Sequence, residues 1–191
     1  MSRQPKMTHE MSESLVMKAA REQFASLGYH GARMSDVAEC SGVNKRLVYE
    51  IVSDKENLYL AVLSDVSREF GAAVSAGMAE MDDAAFKSIA DVYRMAFDLI
   101  SRYHAFSRLL TWEWLCETIQ GARILTEMRN FCEKIHAVAL RVDKTGSTHL
   151  KEFDVALEAM ILRFAMQESV AETHVAELKG IAAALFSAIE K

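Results

Sequence analysis

Residues 34–52 read MSDVAECSGVNKRLVYEIV. Two short runs of helical periodicity flank a turn of small residues, the pattern of a helix-turn-helix. Met34, Val37 and Ala38 fall on one face of a first helix, from about Met34 to Cys40, and Ala38 is small where two backbones must cross. Ser41-Gly42-Val43 makes the turn, and Asn44 is placed to cap a second helix running to about Val52. Its side-chain oxygen is free to accept from an early helical N–H. Val43, Val48 and Ile51 then pin the second helix on the first, leaving Asn44, Lys45, Arg46, Tyr49 and Glu50 facing out. That face offers the donors a DNA groove accepts. On spacing alone, an ordinary αα-hairpin with a solvated outer face fits the same pattern.

Upstream, Val16, Ala20, Phe24 and Leu27 recur at helical period over about Ser12 to Leu27, and Gly28 is expected to end that helix in the left-handed cap conformation. Downstream, Ser53 is the expected N-cap of a fourth helix, with Glu56 completing a capping box. From Lys55 the chain is almost uninterrupted helix, with spans of 54–77, 84–103, 105–119, 121–142, 149–170 and 173–189. Breaks fall at Asp82-Asp83, Tyr103-His104, Gly121 and Lys144-Thr145-Gly146-Ser147. The expectation is an all-α chain of about nine helices. A helix-turn-helix domain covers 10–58, and a helical ligand-binding and dimerisation domain covers 59–191.

Composition agrees. The 191 residues hold a single proline, Pro5, and eight glycines, too few turn-formers for a sandwich or barrel. With 51% apolar and 26% charged residues, the chain is neither a disordered tail nor a coiled-coil rod. No apolar run approaches membrane-spanning length, and Met1 to Glu10 is too polar for a secretory signal. Cys40, Cys116 and Cys132 are odd in number and far apart, which points to a reducing cytoplasm over a disulfide framework. The net charge of −5 is unevenly spread: residues 1–63 hold eight basic and eight acidic residues, so all the excess acidity lies beyond them. Whole-chain charge therefore says little about the first third.

The stretch from Ala19 to Leu63 resembles the N-terminal domain of the tetracycline-repressor (TetR) family of bacterial transcriptional regulators. The likeness rests on the joint spacing of Phe24…Gly28-Tyr29, Asp36-Val37-Ala38, Gly42-Val43, Leu47-Val48-Tyr49 and Lys55-Glu56-x-Leu58. It covers about a quarter of the chain. The resemblance implies that Lys45 and Tyr49 meet the DNA backbone, that Lys55 meets a phosphate from the start of the fourth helix, and that Arg33 and Ser35 add phosphate contacts. A helix N-terminus suits such a lysine, because its dipole and free N–H groups add to the charge. Asn44 and Arg46 are the candidates for reading base edges, since asparagine pairs with adenine and arginine with guanine through two hydrogen bonds each. The chain departs from the family pattern at Tyr49-Glu50-Ile51-Val52, where the family usually has His or Tyr and then Phe after Tyr-x. It departs again at Ala32-Arg33, where Thr or Ser is usual.

The resemblance also implies a homodimer on double-stranded DNA at a palindromic operator, with a small effector that releases it, most often from a repressor. In 149–170 one apolar row is Leu150, Phe153, Leu157, Met160 and Phe164, and a second is Val155, Ala159, Leu162, Met166 and Val170. A helix apolar on two faces must be covered on both. The final helix, with Val175, Leu178, Ile181, Ala182, Leu185 and Ile189 on one side and Ala184 and Phe186 elsewhere, repeats the problem. A second copy pairing through these two helices solves it. Tyr103, Phe106, Trp112, Trp114 and Cys116, with Met128, Phe131, Met160 and Phe164, are the candidate walls for an apolar or aromatic effector, although ordinary core accounts for such residues too. Glu113, between the tryptophans, is placed to meet a cationic ligand but reads better as a surface residue.

Other chemistries find little support. Glu133-x-x-His136 lacks the second copy a di-iron bundle needs, and no glycine-rich phosphate loop or Gly-x-Ser-x-Gly elbow occurs. Cys132 and His136, one helical turn apart, leave open a thiol or soft-metal sensor with Cys116. No enzyme, cofactor, bound metal or membrane partner is expected. The competing class is a helical ligand-binding or scaffold protein that does not bind DNA.

Overall fold

The computed structural model describes residues 8–79, 86–116 and 122–142, together with positions 152, 155–157, 159, 180, 181 and 184. Among these the chain is all-α, without strands. Its helices are α1 (His9–Gly31), α2 (Met34–Ser41), α3 (Lys45–Val52), α4 (Lys55–Ala79), α5 (Ile89–Ser101), α6 (His104–Cys116) and α7 (Ala122–Val142). The chain divides into two compact units, Met1–Val66 and Ser67–Lys191, and α4 contributes to both. The breaks at Asp82-Asp83, Gly121 and 144–147, and the helices expected at 149–170 and 173–189 apart from the few positions above, lie outside the described residues.

In the first unit, Thr8 Oγ1 accepts from the Met11 N–H at 3.2 Å and starts α1. Val16, Ala20 and Phe24 are buried as the period predicts, but Leu27 is exposed. It immediately precedes Gly28, whose φ of 67° and ψ of −179° break the helical geometry. This is not the left-handed cap expected. It is a combination open essentially to glycine alone. The hydrogen-bonded turn then resumes, with the Ala32 N–H donating to the Gly28 carbonyl at 3.2 Å, so the helix ends at Gly31.

Met34, Val37 and Ala38 of α2 are buried, as are Val43 and Val48; Ile51 is half-buried. Gly42 adopts φ 67°, ψ 10° at the end of α2, and a Cβ there meets nothing. The position is thus selected for its left-handed backbone and not for close approach. Asn44 Oδ1 accepts from the Arg46 N–H at 2.9 Å and caps α3 as expected.

The cap of α4 differs from expectation. Ser53 belongs to the end of α3, with φ 62° and ψ −61°, and the Asp54 N–H donates to the Val52 carbonyl at 2.7 Å. That is a γ-turn of the strained hand. Asp54 is the N-cap instead: its Oδ1 accepts from the Asn57 N–H at 2.7 Å and its Oδ2 from the Asn57 side-chain amide at 2.9 Å. A carboxylate outcompetes a hydroxyl at the positive end of a helix. Because a serine holds a positive φ here, Ser53→Gly is expected to stabilise the fold by about 1 kcal/mol, relief of strain outweighing the entropy glycine adds to the unfolded chain. A higher urea midpoint at unchanged slope checks this; a lower one refutes it.

The second unit is built on Phe70 of α4. Its ring stacks on Phe106 of α6 at 4.0 Å and 18°, and meets the edges of Tyr103 at 5.6 Å and Phe131 of α7 at 5.3 Å. Ile89, Val92, Tyr93, Ala96, Phe97 and Ile100 bury one face of α5. Ser88 Oγ caps that helix through the Asp91 N–H at 3.3 Å, while Asp91 Oδ2 accepts from the Lys87 N–H at 3.1 Å. α5 therefore starts at Ile89 and not at 84.

Candidate nucleic-acid interface

α3 is held from one side. Val48 is fully buried, whereas Lys45, Arg46, Tyr49 and Glu50, at positions i, i+1, i+4 and i+5, are exposed. The expected face therefore lies free of the protein's own body. Arg46 Nε donates to Glu50 Oε1 at 2.9 Å, and its side chain is 89% exposed. Asn44 is exposed, but one lone pair of its Oδ1 serves the cap. Its NH₂ and a second lone pair remain for any outside partner.

Lys55 opens α4 directly after the Asp54 cap. Its ammonium lies 4.7 Å from the centre of the Tyr29 ring. Tyr29 in turn rests on Tyr59 at 5.1 Å, and Tyr59 on Phe24 at 4.8 Å. Tyr59 is one helical turn beyond Lys55, so the lysine stem and this aromatic column share a face of α4. Burial draws the Lys55 pKa below the ordinary lysine value. The column was not foreseen as part of the site. The signal was there, in the i, i+4 spacing of Lys55 and Tyr59 and in the tyrosine that directly follows Gly28. Arg33 and Ser35 are exposed at the start of α2, and Ser35 Oγ donates to Asp36 Oδ1 at 3.0 Å.

The proposed effector walls separate into three groups. Tyr103, Phe106 and Phe131 pack around Phe70, Phe106 and Phe131 buried and Tyr103 half-buried. Trp114 and Met128 line a concavity of about 320 Å³ with Leu125, Arg129 and Cys132. Trp112 is half-buried and Cys116 exposed, while Met160 and Phe164 lie outside the described residues. A second concavity of about 300 Å³ is lined by Cys132, Glu133, His136, Ala137 and Leu140. Cys132 borders both; Leu125 and Arg129 were missed because neither is aromatic nor sulfur-bearing. Glu113 is buried, not on the surface: the period of α6 carries it inside with Leu109 and Leu110. His104, at the start of α6, has its pKa lowered by burial and by the Arg108 charge. Among the described residues no group of three His, Cys, Asp or Glu is placed to hold a metal ion, and no helix is long and apolar enough to cross a membrane.

Comparison with known proteins bears on the first unit most directly. The model of a family described as bacterial regulatory proteins, tetR family, matches residues 16–62. The HTH-type transcriptional regulator RutR of Escherichia coli (strain K12) is 31% identical over 112 residues, 59% of this chain and 50% of that protein. The HTH-type transcriptional activator FasR of Mycolicibacterium smegmatis is 46% identical over 48 residues, 25% of this chain and 22% of that protein. The chain thus spans about half the length of the RutR relative or less of FasR. The transcriptional regulator FadR from Bacillus subtilis, in complex with stearoyl-CoA, superposes with a TM-score of 0.63 at 16% identity, covering 92% of this chain and 96% of that one. At that identity the likeness is one of fold. Sequence match at the helix-turn-helix and fold match along nearly the whole length agree: residues 16–62 match the tetR family of bacterial regulatory proteins, and the chain shares the fold of the FadR regulator.

Proposed function

We propose that this protein is a ligand-responsive transcriptional repressor of the cytoplasm that binds a palindromic DNA operator as a homodimer and is released by a small apolar or aromatic effector. The observation that carries the reading is the free face of α3, with Lys45, Arg46 and Tyr49 on it and Lys55 just beyond its end. In this reading Arg33, Ser35, Lys45, Tyr49 and Lys55 meet the backbone, and Asn44 and Arg46 meet base edges. Phosphate contacts set register and base contacts set sequence. Pairing of two copies is supported by the far end of the chain: Leu157 of the first apolar row is buried, whereas Val155 of the second row is 65% exposed and Ala159 and Ile181 are also exposed. Two copies bring two α3 helices to successive major grooves, ~34–36 Å or a multiple apart. The effector reading is supported by the apolar walls that Trp114, Leu125 and Met128 give the larger concavity, with α4 as the helix common to both units.

Salt dependence tests the proposal. Duplexes enriched from a random pool by the wild-type protein should bind with an affinity that falls steeply with salt. Lys55→Ala is expected to weaken binding to every duplex alike and to flatten the salt slope by about one unit. A change of base preference in Lys55→Ala would reassign that residue. Enrichment of no sequence, with no salt dependence, overturns DNA binding and leaves a helical ligand-binding protein.

A further inference from the structure

Glu50 is left without a part in these contacts, and its position is costly. It projects from the same face as Lys45, Arg46 and Tyr49, where a carboxylate repels the phosphates the lysine attracts. Nor does it hold the fold: its pair with Arg46 is solvent-exposed, and such pairs contribute little to stability. What the pair does is bias a guanidinium toward one orientation. Arg46 Nε, at 2.9 Å from Glu50 Oε1, is engaged, and the two Nη groups at the far end of the plane remain. Those two groups form the fork that matches O6 and N7 of guanine.

We infer that Glu50 is a positioning residue for base reading: it orients Arg46 through Nε so that the Nη fork meets a guanine, sharpening sequence preference at the expense of overall affinity. The inference rests on the DNA-binding reading above. An unrestrained arginine side chain samples many rotamers, and ordering it on DNA opposes binding. Glu50 does part of that ordering beforehand, and only for the rotamer that brings Nε to its carboxylate. A freed Arg46 swings to neighbouring phosphates, which carry no sequence information.

The test uses the full chain and duplexes enriched from a random pool by the wild-type protein, followed by single-base variants of the enriched sequence. The base pair read by Arg46 is the one whose preference Arg46→Ala abolishes. Glu50→Ala should lower the preference for guanine there by about 1.4- to 2.3-fold, the scale of one i,i+4 surface pair, while raising affinity for unselected DNA. Glu50→Gln keeps an acceptor oxygen for Nε and loses the charge. It should gain the same affinity for unselected DNA yet retain most of the guanine preference. The contrast between the two variants separates orientation from charge.

Three results overturn the inference. One is a Glu50→Ala effect equal at all bases and matched by Glu50→Gln, which makes Glu50 a surface charge only. Another is a rise in guanine preference, which means that Arg46 reads through Nε and that Glu50 competes. The third is a loss confined to a cytosine elsewhere in the half-site, which makes Glu50 a direct reader. If the wild-type protein enriches no sequence at all, DNA binding itself fails and the inference falls with it, an outcome distinct from these three.

Discussion

Phe70→Ala should destabilise the protein by about 3–5 kcal/mol, more than any surface change considered above. Phe70 is fully buried and its ring makes three aromatic contacts, a stack on Phe106 and edges on Tyr103 and Phe131. Truncation removes the ring's burial, opens a cavity that α6 and α7 cannot both collapse into, and forfeits pair terms of about 0.5–1.5 kcal/mol each. For a chain of this size 1 kcal/mol moves the melting temperature by roughly 2–4 °C, so a fall of about 6–20 °C is expected. Differential scanning calorimetry or circular dichroism measures it. Phe70→Leu, which refills much of the volume, should recover most of the loss. A fall under about 3 °C for Phe70→Ala means that the rings repack and that the cluster is not what holds α4, α6 and α7 together.

That cluster also shows why half of the site was legible in the sequence and half was not. The helix-turn-helix was readable because each of its signals is local. Gly42 needs a left-handed backbone, Asn44 needs an N–H two residues on, and Val43 and Val48 repeat within a turn and a half. Local chemistry also misled where two adjacent residues competed for one role. Ser53 and Asp54 are both good caps, and only the chain's path, with Ser53 spent on a γ-turn, decides for Asp54. The effector site depends on which helices meet, which periodicity does not encode. Tyr103, Phe106 and Phe131 are spaced like pocket walls, but the partner they pack on is Phe70, more than thirty residues upstream on another helix. Trp114 and Met128 keep a concave face, and what joins them there, Leu125, Arg129 and Cys132, comes from the register of α7 against α6. The Lys55 cradle is intermediate: the Lys55–Tyr59 spacing is local, but Tyr29 reaches it from α1.

Arg46→Ala should cost about 1–3 kcal/mol, roughly 5- to 150-fold in affinity, at one base pair per half-site, and little at the others. The reason is geometric. α3 is anchored by the buried Val48 and by the Asn44 cap, so its outward side chains keep a fixed bearing on whatever lies against that face. On it Arg46 is the residue with a planar fork, and Glu50 already restrains that fork. Lys45 is a compact charge on a flexible stem, suited to phosphates and not to discriminating bases. Arg46→Lys sharpens the test, because it keeps the charge and removes the fork. It should lose nearly all of the base preference while leaving the salt slope unchanged, whereas Lys55→Ala should lower the salt slope and leave preference intact. Competition binding across single-base operator variants at two or more salt concentrations reads both quantities at once. Should Arg46→Ala instead weaken every variant by one common factor, Arg46 is a phosphate contact, and sequence must be read by Asn44 through the amide donors its cap leaves free or by the shape of the DNA.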